Sequence, residues 1–202
     1  VLPGWIGEVR KSYAKIHSDY LSARLVEAIK IITVFGSSRS SEGDADYADA
    51  LELGRLLAGV GFAICSGGFG GSMEAVSRGA REGGGRTIGV TVDVIRRSAN
   101  PWLDEEVRTE SIFRRIEHMV TIAHGFVALP GGSGTLAEMA VTLDLLAIGA
   151  LERRPLVLLG PEWRAVMDMF FQRLRVTDAE RRLVSFAANP AEAVQQLTAR
   201  LT

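Results

Sequence analysis

Short apolar runs along this chain alternate with longer stretches whose apolar residues return every three or four positions. The runs Ile31–Phe35, Phe62–Cys65, Thr87–Val92, Gly125–Leu129 and Pro155–Leu159 are apolar and rich in β-branched residues, the pattern of strands buried on both faces. The stretches between them predict helices. One is capped by Asp44 or Asp46 and runs to about Ala58, stopping at Gly59. Others cover Met73 to about Glu82, Phe113–Ala123, Thr135 to Gly149, Glu162–Leu174 and Pro190–Leu201, the last with Asn189 as its cap. Residues 1–30 form an N-terminal helical segment, with Ile6, Val9, Tyr13, Ile16 and Tyr20 at helical spacing for packing or a dimer contact. Residues 93–110 read as a loop or lid with a short strand at Val107–Thr109, and Leu183–Phe186 as a last short strand. Strands alternating with helices predict one doubly wound parallel α/β sheet over residues 31–202. Such sheets bind ligands beyond the C-terminal strand ends, where the strand order reverses. Counting the five long runs in sequence, an order 3-2-1-4-5 brings the turns after the first, second and fourth runs to one cleft.

Those three turns hold the candidate chemistry. After Leu129, Pro130 ends the strand, and Gly131, Gly132, Ser133, Gly134 and Thr135 lead into a helix. A glycine turn feeding a helix start is an anion site, because unpaired N–H groups and the helix dipole both favour negative charge. Glu138 stands one turn further on. The same residues, Thr135 through Glu138, also fit a capping box in which both side chains only satisfy backbone N–H groups, and the pattern alone leaves the two roles open. The second turn, Ser66 through Ser72, contains Gly67 and Gly68 but lacks the spacing of a dinucleotide fingerprint; Asp93 keeps an NAD-linked reading only weakly alive. The first turn, Gly36-Ser37-Ser38-Arg39-Ser40-Ser41, is read equally as a phosphate or ribose cradle and as a solvated loop.

Composition narrows the classes. The 202 residues carry a net charge of −1 with 47% hydrophobic content, which gives no reason to expect nucleic acid or a membrane as partner. The opening residues lack the layout of a signal peptide, and the single cysteine, Cys65, excludes an intrachain disulfide and fits a cytoplasmic location. Cys65 ends an apolar strand and reads as a buried structural thiol. His17, His118 and His124 lack ligand spacing, so no metal is expected. Asp104, Glu105 and Glu106 read as a solvated acidic face. The only lysines are Lys11, Lys15 and Lys30, all N-terminal. A Walker loop and a pyridoxal phosphate Schiff base both need a lysine near the site, so cationic work falls to arginine.

Pro130 through Glu138, read as PGGSGTLAE, resembles the PGGxGTxxE signature of the Lonely Guy (LOG) family, the cytokinin riboside monophosphate phosphoribohydrolases and their bacterial relatives, often mislabelled as lysine decarboxylases. Ser66 through Ala75 and Phe35 through Ser38 resemble the family's other two turns, and Met119 also matches. The family's Arg-Lys pair falls on Arg115 and Ile116, so one cation is replaced; Ser133 stands where an aromatic is common, and Asp144 where many members have Thr. The resemblance covers roughly residues 31–160. It implies a Rossmann-like fold, hydrolysis of the N-glycosidic bond of a nucleoside 5′-monophosphate to free base and ribose 5-phosphate, Arg115 and Glu138 as the catalytic pair, and no metal or other cofactor. It also implies a homodimer with sites near the interface. Such cleavage passes through an oxocarbenium-like state that a neighbouring carboxylate stabilises. At a helix start, Glu138 is expected to stay ionised under the dipole, with the glycine turns holding the phosphate. The rival reading is a non-catalytic nucleotide or molybdenum-cofactor carrier on the same scaffold.

Overall fold

The computed structural model of the chain describes residues 4–22 and 29–201. Expectations that fall on 1–3, 23–28 and Thr202, and on the side chains of Ile6, His17 and Tyr20, lie outside the described residues. The five long apolar runs become strands, joined by two further ones: β1 (Ile31–Phe35), β2 (Ala63–Ser66), β3 (Thr87–Val92), β4 (Glu105–Thr109), β5 (Gly125–Ala128), β6 (Leu156–Leu159) and β7 (Val184–Ala187). They form one sheet in the order β4-β3-β2-β1-β5-β6-β7, each neighbouring pair parallel. The middle five strands follow the 3-2-1-4-5 order, with β4 and β7 added at the edges.

The period-two alternation of β1 shows how both faces are covered. Ile31 and Phe35 point to one side, where Phe35 stacks on Phe126 with ring centroids 6.0 Å apart. Their cluster takes in side chains of α4 (Ile112–Ile122), α5 (Ser133–Ala147) and α6 (Pro161–Arg173), with Tyr13 of α1 (Gly4–Ser22) packed against it. Ile32 and Val34 point to the other side, into a cluster with α2 (Ala45–Gly59), α3 (Ser72–Glu82) and α8 (Pro190–Leu201). Two faces, each covered by helices, make the doubly wound layering that the runs predicted. Burying each large side chain fully is worth about 1.5–3 kcal/mol. Arg154 is a structural device: its guanidinium donates to the carbonyls of Val120, Thr121 and Ala123, satisfying acceptors at the end of α4 that the helix leaves open.

Several local expectations change. Asp44 stands at the N-cap of α2, but its carboxylate accepts from Ser41 N at 2.8 Å and makes no side-chain cap. Asn189 does cap α8, accepting from Glu192 N at 3.0 Å. The acidic run is exposed at Asp104 and Glu106, as expected, and half-buried at Glu105, but it also makes contacts across the sheet edge. Asp104 accepts from Thr87 N at 2.9 Å and Glu106 from Thr91 Oγ1 at 2.6 Å, while Glu105 meets Arg86 at 3.3 Å. These contacts tie β4, two residues longer than expected, to the sheet edge. A capping box does form, but at α7 (Asp178–Arg181), between Thr177 and Glu180. Cys65 is buried, and burial pushes its thiol up to about 12. His124 is structural: its Nδ1 accepts from Ile31 N at 3.0 Å. Among the described residues, no helix is long and apolar enough to cross a membrane.

Candidate active site

The order of strands reverses at β1, and a cavity of about 240 Å³ opens beyond the C-terminal ends of β1, β2, β3 and β5. The turn after β1 supplies Gly36, Ser37, Ser38 and Arg39. The turn after β2 and the start of α3 supply Phe69 and Met73, the loop after β3 supplies Ile95 and Arg97, and α4 supplies Arg115. Gly132, Ser133, Gly134, Thr135 and Glu138 come from the start of α5.

Arg115 and Glu138 meet at the cavity floor. Ser111 Oγ accepts from Arg114 N at 3.2 Å and fixes the start of α4. Arg115 lies on the inner face of that helix. Its Nη1 donates to Glu138 Oε1 at 2.6 Å and its Nε to Val90 O at 2.7 Å. The remaining Nη2 faces Met73 Sδ at 3.9 Å, and the guanidinium stands 5.9 Å from the Phe69 ring centroid. Both side chains of the pair are over nine-tenths buried. The capping box read from Thr135 and Glu138 is therefore absent. The helix starts two residues earlier than expected, with Gly132 as N-cap and no side-chain cap, so Thr135 is inside the first turn and Glu138 is free to turn to the guanidinium.

The electrostatics of Glu138 also differ from the expectation. It sits in the second turn of α5 rather than at its tip, and burial pushes its carboxyl above the usual carboxylate range while Arg115 pulls it back. Arg115, not the helix dipole, opposes the cost of ionising this carboxyl. The uncapped start of α5 leaves the N–H groups of Ser133, Gly134 and Thr135 without intrahelical acceptors beside the cavity. The turn after β1 is held rigid: Ser37 N donates to Ser72 Oγ at 2.8 Å, and Ser72 N donates back to Ser37 O at 2.9 Å.

The structure thus brings together Gly36, Ser37, Ser38, Gly132, Ser133, Gly134, Thr135, Arg115 and Glu138. Gly67, Gly68 and Gly131 do not line the cavity. A Cβ at Gly67 would collide with Arg115 Nη2, one at Gly68 with Thr91 and Gly89, and one at Gly131 with Thr135. Their smallness makes room for the site's supporting parts. Ile116, at the position of the family's lysine, is in the core. Sequence reasoning did not pick out Phe69, Met73, Ile95 or Arg97 as site residues; Arg39 stands in the turn read as a phosphate or ribose cradle. The scarcity of lysine was the available signal for the two arginines, since each follows a strand that ends at the cleft.

The family described as "Possible lysine decarboxylase" matches residues 73–197. The chain is 31% identical over 186 residues to the pyrimidine/purine nucleotide 5′-monophosphate nucleosidase of Escherichia coli K12, covering 85% of this chain but only 40% of that protein's length. It is 30% identical over 177 residues to the cytokinin riboside 5′-monophosphate phosphoribohydrolase LOG of rice, covering 83% of this chain and 72% of that one. Among solved structures, the molybdenum cofactor binding protein of Rippkaea orientalis superposes with a TM-score of 0.71 at 24% identity, covering 87% of this chain and 99% of that one, which speaks to the fold alone. The Moco carrier protein of Chlamydomonas reinhardtii superposes at 0.62 with 31% identity, over 86% and 99%.

Proposed function

The chain belongs to the family described as "Possible lysine decarboxylase", the Lonely Guy (LOG) family of the motif resemblance, and from that premise we propose that it hydrolyses the N-glycosidic bond of a nucleoside 5′-monophosphate. The decarboxylase wording is a label only: the chain's three lysines are all N-terminal and none lines the cavity. The observation that carries the reading is the buried Arg115–Glu138 pair at 2.6 Å on the floor of a cavity that also holds an uncapped helix start. The names of the relatives support the same substrate class.

In this reading the N–H groups at the start of α5 hold the 5′-phosphate, and this remote contact positions the ribose over Glu138. Water adds to C1′ as the C1′–N bond breaks. Its electron pair leaves on the base nitrogen, and a proton from the water ends on the departing base. Glu138, as the carboxylate, stabilises positive charge at C1′ or draws the proton from the water. Arg115 keeps Glu138 ionised and aimed. A homodimer belongs to the same proposal: Phe113 is 84% exposed and Leu136 45% exposed on the two helices that carry the pair, leaving apolar surface beside the site for a second copy.

The test is incubation with AMP, CMP and GMP and assay for free base. Release of base from at least one nucleotide is the expected result. Tight retention of intact nucleotide without release would overturn the hydrolase in favour of a carrier, as the Chlamydomonas relative is named.

A further inference from the structure

Arg115 is not the only guanidinium in the cavity. Arg39 and Arg97 line it as well, and both residues are exposed. Six other surface arginines, at positions 55, 78, 81, 86, 108 and 114, each reach a carboxylate within about 3.3 Å, while Arg96, Arg175 and Arg200, elsewhere on the surface, have none among the described residues. Arg39 and Arg97 have no ion-pair partner among the described residues. What sets Arg39 and Arg97 apart is place: two exposed cations without a counter-charge line one cavity, and together they favour an anion there.

The backbone beneath each of them is fixed. Arg39 N donates to Ser37 Oγ at 3.1 Å, on the turn already stapled to Ser72. The loop carrying Arg97 is anchored by Asn100, whose N donates to Gly68 O at 2.9 Å and whose Nδ2 donates to Phe69 O at 3.2 Å. Charge decides what they fit. Arg115 and Glu138 cancel each other, so the ionisable lining groups leave two uncompensated positive charges. A phosphate monoester carries about −1.5 to −2 near neutral pH, and the planar fork of arginine matches its oxygens. The rest of the lining that could face a base, Phe69, Met73 and Ile95, is apolar.

We propose that Arg39 and Arg97, presented by the turns after β1 and β3, form a clamp on the phosphate monoester, and that this clamp makes the site select phosphorylated over unphosphorylated ribosides. The inference rests on the phosphoribohydrolase reading and assigns it the residues that recognise the phosphate. The arginines touch the non-reacting end of the substrate, so they set affinity and leave the chemistry at C1′ to Glu138.

The test is a calorimetric titration with ribose 5-phosphate and with ribose, needing no turnover. Wild type is compared with Arg39→Ala, Arg97→Ala, the double alanine variant and the double lysine variant. Each alanine should weaken ribose 5-phosphate binding about tenfold, and the pair about a hundredfold. Ribose binding should not change, and the lysine variant should recover part of the loss because the charge returns without the fork. Wild type that binds ribose 5-phosphate while every variant binds it equally well overturns the clamp alone. Wild type that fails to bind ribose 5-phosphate overturns the clamp; only if it also releases no base from AMP, CMP or GMP does the phosphoribohydrolase reading fall with it.

Discussion

The glycine turns after β2 and β5 look alike on paper and do opposite work. At the first, Gly67 gives way to the Arg115 guanidinium and Gly71 to the Ser37 carbonyl, so any Cβ there would strike a neighbour. At the second, a Cβ on Gly132 or Gly134 would meet nothing within 4 Å. The first turn is small because the molecule is crowded there. The second is crowded only at Gly131, against Thr135; Gly132 and Gly134 are small beside open space, where a helix start is left uncapped. Glycine content therefore does not mark a ligand site; the difference lies in what stands opposite the missing side chain.

That contrast can be broken in several places. Arg115→Ala should have the largest effect. It leaves Glu138 buried without its counter-charge, costing about 3–5 kcal/mol of stability, read by chemical denaturation. It should also move the acid limb of the pH–rate profile upward. The sign follows from the carboxyl. Glu138 sits above its ordinary value of 4.5 because burial outweighs Arg115. Its protonated form suits the fold, so its stabilising contribution is full below 4.5 and is lost as pH rises through the folded value. The proposed catalysis needs the carboxylate, so turnover should fall as pH drops through that same raised value. Without Arg115 the value climbs further.

Gly67→Ala comes next. Overpacking at such a site costs about 1–3 kcal/mol, and the displaced guanidinium should lower turnover as well. Unchanged stability and turnover would show that the first turn is not crowded after all. Gly134→Ala should have the smallest effect and the opposite sign. In the first turn of α5 it should stabilise the protein by about 0.5–1 kcal/mol, seen as a higher melting temperature, while the added methyl beside the cavity weakens ribose 5-phosphate binding. A loss of stability comparable to Gly67→Ala would erase the distinction between the turns.

Much of the scaffold was legible in the sequence because it depends on period and composition. β1, with apolar residues on both faces, has the pattern of a buried strand, and the 3-2-1-4-5 order was the arrangement a doubly wound sheet would take if its turns were to meet at one cleft. The signature PGGxGTxxE pointed to Glu138, and the family pattern to Arg115. What stayed hidden depended on contacts between distant residues. The capping box at Thr135 and Glu138 had the right spacing, but spacing cannot show that a guanidinium 23 residues away in sequence would take the carboxylate. Asp104 and Glu106 are exposed as expected, but their hydrogen bonds stayed hidden because the partners, Thr87 and Thr91, lie across a strand pairing. Arg97 belongs to the loop after β3, whose approach to the turn carrying Arg39 only the folded chain displays.

The most direct measurement is base release from saturating AMP by wild type and by Glu138→Gln, with melting temperature followed in the same buffer. Catalysis by the Arg115–Glu138 pair predicts a loss of turnover of about 10²–10⁴-fold in a variant that melts as a folded protein. Turnover in Glu138→Gln equal to that of wild type would contradict it.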